Sequence, residues 1–281
     1  RICSTFISLG TKKIRITGGE PLVRKNVMTL FDNLGKYISS KDLNELTLTT
    51  NGSQLYKYAK NLYECGVKRI NVSIDTLNSS LFSSLTRRGD LTKVLQGIEE
   101  AKKVGLKIKI NTVALKNTNE NELVDIMSWA HSNDCDMTII ETMPLGEIDY
   151  DRTDQFLPVS KVKKNIEKKY SLKKSDHYTG GPSRYFEVVE TGKRIGFITP
   201  LTHNFCELCN RVRLTCTGKL YMCLGQEDSA DFKEASRSLN WKEDLKSAIL
   251  EAISRKPKGH DFVIRRKQEP SVKRHMSVTG G

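Results

Sequence analysis

The chain has 281 residues and a hydrophobic content of 37%, enough for one large domain or for a main domain with a smaller appendage. No apolar run approaches the length of a membrane span and no segment is typical of an export signal, so nothing suggests a membrane-spanning or exported protein and a cytoplasmic one is expected. The net charge of +13 favours a polyanionic partner, either nucleic acid or a nucleoside triphosphate, although a lysine-rich solvated surface is the simpler explanation.

Strand-like and helical patterns alternate along the first half of the chain. The sequence begins with Arg1 and becomes strand-like almost at once, from which we expect that an N-terminal segment is missing. Apolar, β-branched strands are predicted at 12–17, 43–52, 68–75, 106–115 and 136–144. Helices are predicted between them at VMTLFDNLGKYI, at QLYKYAKNLYECG, in a stretch broken near Gly89, and at NENELVDIMSWAHSN.

This alternation predicts an α/β protein with a parallel sheet. Without a signal for reversal of strand order, a partial or full βα (TIM-like) barrel is favoured over a doubly wound sheet. In either arrangement ligands bind at the carboxyl ends of the strands. Those ends read TGGEP, TTNG, SIDT, TVALK and ETMP, and are rich in Gly, Thr, Ser and Asn.

The pattern changes after Pro144, so we predict two domains, 1–150 and 151–281. The second begins with a helix at VSKVKKNIEKKY and a hairpin that turns at Thr191-Gly192. Near its end, WKEDLKSAILEAISRK is typical of an amphipathic helix with Leu245, Ile249, Ala252 and Ile253 on one face. A basic tail with a terminal Gly-Gly completes the chain.

The segment NFCELCNRVRLTCTGKLYMC, at 204–223, contains four of the seven cysteines. Cys206 and Cys209 form a C-x2-C pair, Cys223 follows after thirteen residues, and Cys216 lies between them. In a chain without an export signal, clustered cysteines more often bind metal than form disulfides. Four cysteines are typical of structural zinc, whereas three could hold a 4Fe-4S cluster with one iron open to a substrate atom. The spacing favours zinc but leaves both open.

Two arginines lie between these cysteines. Arg211 and Arg213 occupy alternate positions of a predicted strand, so their side chains should point the same way. A guanidinium group suits phosphate or carboxylate because its planar fork donates in pairs. A solvated strand face would explain the same pattern.

Taken together, KKIRITGGEP, LTTNG, RINVSID, ETMP, FCELCNRVRL…GKLYMC and the terminal Gly-Gly closely resemble the GTP 3′,8-cyclases of molybdenum cofactor biosynthesis, which are radical S-adenosylmethionine (SAM) enzymes. The resemblance runs from about residue 12 to residue 281. It implies an incomplete βα barrel that binds SAM on an N-terminal 4Fe-4S cluster. It also implies a C-terminal domain whose second 4Fe-4S cluster binds the guanine of GTP. The Gly-Gly tail is implied to reach toward the active site.

The resemblance assigns roles to individual residues. Cys206, Cys209 and Cys223 are the implied ligands of the second cluster, and Cys216 is expected to be a thiol without metal. The implied SAM contacts are Gly19, Ser73 and Met143, and the implied GTP contacts are Arg15, Thr49, Lys109, Arg211 and Arg213. The implied reaction is a cyclisation in which a SAM-derived 5′-deoxyadenosyl radical removes the ribose C3′ hydrogen of GTP, and the resulting carbon radical attacks C8 of guanine.

Two features depart from that family. Its first-cluster motif, C-x3-C-x2-C, is absent, and Cys3 cannot replace it because the next cysteine is Cys65. We therefore expect this chain alone not to cleave SAM, and we interpret it as a truncated active enzyme rather than as a degenerate paralogue. Second, Thr138 stands where many members have arginine, which puts one substrate contact in doubt.

The resemblance also implies partners: an electron donor, a homodimer in some members, and a pyranopterin synthase that uses the product. It implies neither nucleic acid nor membrane. Two alternatives remain at this point. One is a peptide-modifying radical SAM enzyme with an auxiliary cluster. The other is a nucleic-acid-binding protein stabilised by zinc on all four clustered cysteines.

Overall fold

The computed structural model describes residues 1–143, 145–146, 152–201, 209–257, 259, 270 and 272–279. Its strands are β1 (Lys13–Ile16), β2 (Glu45–Thr50), β3 (Arg69–Ser73), β4 (Lys107–Ala114), β5 (Asp136–Glu141), β6 (Leu172–Lys174), β7 (Arg184–Val188), β8 (Lys193–Ile198), β9 (Arg213–Leu214), β10 (Lys219–Tyr221) and β11 (Ser229–Asp231).

The α-helices of the described residues are α1 (Ile2–Ser8), α2 (Val27–Ser39), α3 (Leu55–Glu64), α4 (Ser79–Leu85), α5 (Leu91–Lys103), α6 (Leu123–Ser132), α7 (Arg152–Gln155), α8 (Val159–Glu167), α9 (Trp241–Ser254) and α10 (Met276–Thr279). None of these helices has the length and apolar character needed to cross a membrane. The helices predicted from the sequence are confirmed, including the break near Gly89 that separates α4 from α5.

The beginning of the chain differs from the prediction. Residues expected to lead directly into a strand form α1 instead, ahead of β1. The segment ICSTFIS is rich in β-branched residues, which have a low intrinsic preference for helix. Packing overrides that preference, because Ile2 and Phe6 lie against the apolar cluster around Phe232.

The main sheet has the order β1-β2-β3-β4-β5-β8-β7-β6. Strands β1 to β5 and β8 run parallel, and β7 and β6 are antiparallel to their neighbours. The architecture is therefore α/β, an incomplete βα barrel. The predicted hairpin is confirmed as β7 and β8, and because β8 pairs with β5, one sheet continues past residue 150. The domain boundary at that residue stays a prediction.

The parallel strands have one apolar and one polar face, since successive side chains alternate. The apolar face includes Leu48, Ile70, Ile110 and Ile139, all fully buried in the main core. Residues between them, such as Arg15, Asn71 and Lys109, are on the opposite face. Helices cover the apolar face, so the polar face is the one left to line a binding site.

A second apolar cluster lies under the smaller sheet, whose order is β11-β10-β9. Leu220, Phe232 and Leu245 are fully buried there. Helix α9 has the predicted amphipathic character, but Ile253, placed on its apolar face, is 38% exposed. The face that packs on this small sheet is narrower than the sequence pattern suggests.

We expect the substitution Gly35→Ala, in the middle of α2, to destabilise the protein. Alanine normally favours a helix interior by about 1 kcal/mol over glycine. Here a Cβ would lie 2.4 Å from the Cys65 carbonyl oxygen, and overpacking of this kind costs about 1–3 kcal/mol. Thermal unfolding should show a melting temperature lower by a few degrees.

Gly181→Ala is the matched control, because its Cβ would meet its nearest neighbour at 3.7 Å. An equal melting temperature for the two variants, or stabilisation by Gly35→Ala, would contradict the close packing of α2 against Cys65.

Candidate active site

The polar face of the sheet is organised in rows by the strand register. Arg15 pairs with Thr47, which pairs with Arg69. In the next row Thr49, Asn71 and Lys109 lie side by side. The row nearest the carboxyl ends contains Ser73, Asn111, Thr138, Gly196 and Tyr185. The predicted residues Arg15, Thr49, Lys109 and Ser73 therefore share one face.

Several polar atoms on this face are buried and have no hydrogen-bond partner among the described residues. They are Arg15 Nε, Asn71 Oδ1, Asn111 Oδ1 and Thr138 Oγ1. Buried polar groups in folded proteins are nearly always satisfied, by protein, water or ligand. These atoms are therefore available to a polar ligand or to water.

The predicted cations are brought together although they lie far apart in the sequence. Burial lowers the pKa of Arg15, and the positive charges of Arg69 and Arg211 lower it further. Burial also lowers the pKa of Arg213, to about 10, with Arg211 and Arg15 adding to the effect. Charges that perturb one another must be close, so Arg15, Arg211 and Arg213 form one positive cluster between the sheet and the cysteine segment.

Lys109 lies on the same polar face. Its position on a strand would also have allowed a solvent-exposed side chain, but the side chain is buried. It is 7% exposed, and its Nζ donates to the Tyr185 hydroxyl at 3.2 Å. The Tyr185 hydroxyl lies 3.3 Å from Thr179 Oγ1, and Lys13 donates to the Thr179 carbonyl. Burial lowers the pKa of Lys109, and Tyr185 opposes that shift. The loop before β7 thus reaches across the sheet and positions the ammonium group.

The loops that follow the strands contain the predicted SAM contacts. Gly19 follows β1 and is exposed, Ser73 ends β3 and is exposed, and Met143 follows β5. Glu20 joins the first two loops, because its carboxylate accepts from the Leu22 N–H at 2.9 Å, from Thr50 Oγ1 at 2.8 Å and from the Asn51 N–H at 2.6 Å.

The cysteine segment is ordered around the β9–β10 hairpin. Leu220 pairs with Leu214 and Tyr221 with Arg213, so continuing the register sets Cys223 opposite Arg211, at the open end of the hairpin near Cys209. Cys216 is exposed in the turn at the other end. It is separated from Cys223 by about five strand residues, roughly 16 Å. Cys206 lies outside the described residues.

This register argues against zinc on all four cysteines. Sulfur atoms bound to one zinc ion lie within about 5 Å of each other, because each Zn–S bond is about 2.3 Å long. Cys216 instead lines a groove of about 710 Å³ together with Cys3 and Leu34. Among the described residues, no three His, Cys, Asp or Glu side chains converge as metal ligands.

The segment differs from the prediction at its ends. Arg211 was expected on a strand, but β9 begins at Arg213, and β10 ends at Tyr221, two residues before Cys223. The Arg211 and Met222 carbonyls accept from Lys256 Nζ, at 2.9 and 2.7 Å. Lys256, which follows α9, therefore makes the hydrogen bonds near the cysteines that a neighbouring strand would otherwise make.

Cys209 has the chemistry expected of an iron ligand. Burial alone would raise its pKa, but the Arg211 backbone N–H and the charges of Arg211 and Lys256 outweigh burial and lower it. The thiolate is the form that binds metal. Cys209 and Cys223 are both free thiols, so the described part of this segment fits an iron–sulfur cluster.

Comparison with known proteins agrees with this geometry. Residues 1–130 match the radical SAM superfamily, and residues 135–262 match the molybdenum cofactor synthesis C family. A GTP 3′,8-cyclase of Brucella ovis is 58% identical over the whole of this chain, which spans 82% of that protein. Another GTP 3′,8-cyclase, of Rhizobium leguminosarum bv. trifolii, is 60% identical over the whole of this chain, which spans 81% of that protein. The chain belongs to the GTP 3′,8-cyclase family of radical SAM proteins.

Solved structures support the fold alone. SuiB of Streptococcus suis, in its crystal structure bound to S-adenosylmethionine, has a TM-score of 0.55 with this chain at 16% sequence identity. The match covers 89% of this chain and 59% of SuiB. This chain and SuiB therefore share a fold.

Three residues of the site were not found from the sequence. Glu20 could have been predicted, because it follows Gly-Gly at the end of a parallel strand. A carboxylate there is well placed to accept hydrogen bonds from the N–H groups of neighbouring loops. Tyr185 lies on a hairpin strand that returns to the sheet, and no local pattern shows which strand it joins. Arg274, in the tail, donates to the Cys223 carbonyl at 3.1 Å, a contact between residues fifty-one positions apart.

Thr138 leaves its hydroxyl buried without a described partner. A Cβ on Gly196 would lie 3.0 Å from that hydroxyl, 2.8 Å from the Tyr185 ring and 2.2 Å from Ser183 Oγ. Glycine is therefore required at 196 for the hairpin to approach β5. Tyr185 and Ser183 fill the space beside Thr138.

Asp75 gives a prediction for pH dependence. Burial raises the pKa of the Asp75 carboxyl from 3.8 to about 6. The hydrogen bond that it accepts from the Val113 N–H, at 2.8 Å, lowers the pKa but does not offset burial. The folded protein therefore binds more protons than the unfolded chain between these values, and stability falls as the pH rises through that window. Asp75→Asn keeps an acceptor for Val113 and removes the charge.

We expect Asp75→Asn to melt a few degrees above the parent at pH 7.5, and to lose most of that advantage at pH 5. Thermal unfolding at both pH values measures the difference. The same offset at the two pH values would show that ionised Asp75 is not destabilising.

Proposed function

We propose that this chain is a GTP 3′,8-cyclase, which converts GTP into (8S)-3′,8-cyclo-7,8-dihydroguanosine 5′-triphosphate with SAM, an early step of molybdenum cofactor biosynthesis. The observation that carries the proposal is the cluster of Arg15, Arg211 and Arg213, which joins the polar face of the sheet to the cysteine segment. Buried cations that repel one another are stabilised by a polyanion. A nucleoside triphosphate supplies that charge.

In this proposal the triphosphate lies against the positive cluster. Arg15, Arg211 and Arg213 bind phosphate oxygens, and Lys109 contributes a fourth cation whose direction is set by Tyr185. Thr49, in the same row as Lys109, contributes a hydroxyl that accepts from Asn71 at 3.3 Å. Water is excluded where these groups are buried, which strengthens each charged contact.

Cys206, Cys209 and Cys223 are the proposed ligands of the substrate-binding 4Fe-4S cluster, with the guanine on its open iron. The first cluster, which binds SAM in the family, is proposed to be held by residues that precede Arg1. When bound, SAM and the clusters supply the electron transfer and the radical chemistry of the reaction. The protein orients GTP, neutralises its phosphates and limits access of water.

The proposed SAM contacts are Gly19, Ser73 and Met143. All three lie at the carboxyl ends of parallel strands, where ligands of such sheets bind. Glu20 supports this site by holding the loop after β1 to the loop after β2. The orphaned Asn111 oxygen lies beside Ser73 in the register and is available to a ligand hydroxyl.

We further propose an electron donor for the first cluster, a downstream pyranopterin synthase and a cytoplasmic location, each implied by the family. A homodimer is compatible with it. Proposed partners include neither nucleic acid nor membrane.

The cysteine assignment is tested by anaerobic reconstitution with iron and sulfide. We expect the parent and Cys216→Ala to bind about four iron atoms per chain, and Cys209→Ala and Cys223→Ala to bind far less. GTP should change the electron paramagnetic resonance spectrum of the cluster in the parent and in Cys216→Ala. Conversion of GTP is then assayed on the protein together with any residues that precede Arg1.

Loss of metal from Cys216→Ala, or zinc in place of iron, would contradict the proposal. Because Cys216 is exposed, its replacement should leave the fold intact and the comparison clear.

A second prediction concerns the Lys109–Tyr185 contact. Tyr185→Phe removes the hydroxyl that holds the ammonium group, and GTP affinity should fall about three- to tenfold, the scale of losing one ordinary hydrogen bond. Affinity for guanosine, which has no phosphates, should be unchanged. Equilibrium dialysis of the reconstituted protein measures both.

Tyr178→Phe is the control, because Tyr178 lies in the loop that precedes β7 and is 67% exposed. Equal GTP affinity in the two variants, or an equal effect on guanosine, would show that Tyr185 does not position Lys109 for phosphate.

A further inference from the structure

The C-terminal segment 272–279 contacts three parts of the predicted sites. The Val272 carbonyl accepts from the Gly146 N–H at 2.9 Å, just beyond Met143. A Cβ on Gly19 would lie 4.0 Å from Ser277 Cβ. The Thr279 carbonyl accepts from Arg213 Nη1 at 3.3 Å. One short segment therefore contacts the neighbourhoods of the SAM contacts and of the positive cluster.

Arg274 is the residue of this segment with the most extensive contacts to the cysteine segment. Its Nη2 donates to the carbonyls of Cys223, at 3.1 Å, and Leu224, at 2.7 Å. Its Nη1 donates to Glu227 at 2.7 Å. The guanidinium carbon lies 4.1 Å from the centre of the Tyr221 ring, and the side chain is only 8% exposed.

We propose that Arg274 is a positioning residue that fixes the C-terminal segment 272–279 on the loop 223–227. The inference rests on the proposed function, since the importance of the loop comes from Cys223 as a cluster ligand. The segment's own regular structure is a single short helix, α10, so side-chain contacts must set where it lies. Arg274 ties that position to the backbone of the cluster loop.

The chemistry favours arginine over any other cation at this position. A guanidinium fork can donate to two carbonyls and a carboxylate while its flat face packs on an aromatic ring. A lysine ammonium is a point charge and cannot make this set of contacts in one place. Through Arg274 and Arg213, the two ends of the segment are held by cations that face the same cysteine segment.

Hydrogen exchange of the anaerobically reconstituted protein tests the proposal. Arg274→Gln should speed exchange at 272–279 and at the Gly146 amide by about tenfold or more, the scale of losing a charged hydrogen bond. Iron content should stay at the parent level. The rate of GTP conversion, measured with any residues that precede Arg1, should fall about tenfold or more, because small misplacements near reacting groups cost up to about 10²-fold.

Arg255→Gln is the matched control. Arg255 also pairs with carboxylates, Asp228 and Glu251, close to the same loop, but it makes none of the described contacts of Arg274 to the Cys223 or Leu224 carbonyl. It should leave exchange at 272–279 unchanged. Arg274→Lys serves where Arg274→Gln fails to fold, and should give an intermediate increase in exchange.

Unchanged exchange at 272–279 in both Arg274 variants would overturn the proposal. So would loss of iron in parallel with the faster exchange, which would mean that Arg274 stabilises the cluster loop and not the segment. A parent protein that binds neither iron nor GTP would instead refute the proposed function. The exchange data would then still show whether Arg274 fixes the segment 272–279 on the loop 223–227.

Discussion

Mutual repulsion among half-buried arginines is the constraint around which the candidate site is organised. Arg15 comes from the first strand of the sheet, and Arg211 and Arg213 come from the cysteine segment almost two hundred residues later. Gathering them opposes folding, because burial and like charge both disfavour the protonated forms. The main sheet, the hairpin and the second apolar cluster together hold them in place. An anion bound there would relieve this repulsion.

The architecture follows from the sequence wherever the signal is local. The alternation of β-branched strands and amphipathic helices predicts the α/β class, and Thr191-Gly192 marks the turn between β7 and β8. The partner of β8 is not a local property, and its pairing with β5 could not be predicted. Helix α1 was missed for a related reason, since its packing against the second cluster outweighs its poor helix propensity.

The residues of the candidate site also divide into those that the sequence suggests and those that only the folded chain shows. The place of Ser73 at the carboxyl edge of the sheet could be predicted, because parallel strands present their carboxyl ends at one edge. Motif resemblance suggested roles for Ser73, Lys109 and Arg213, but neither motif nor periodicity shows what orients their side chains. Tyr185 and Arg274 act through contacts across more than fifty positions, so only the folded chain shows them. The Arg211 strand was mispredicted because a lysine, Lys256, takes the place of a neighbouring strand.

The cysteine segment shows why a cluster loop needs help from elsewhere in the chain. Around Cys223 the strand ladder has ended, and the carbonyls of residues 211 and 222–224 lie beyond the described strands β9 and β10. Lys256 and Arg274 satisfy these four carbonyls with two cations, one from the end of α9 and one from the tail. Lys256 also helps Arg211 to lower the pKa of Cys209, because a positive charge nearby stabilises the thiolate. Lys256 therefore contributes both to the order of the backbone and to the chemistry of a proposed cluster ligand. Arg274 orders the backbone of the same loop from the tail, through the Cys223 and Leu224 carbonyls.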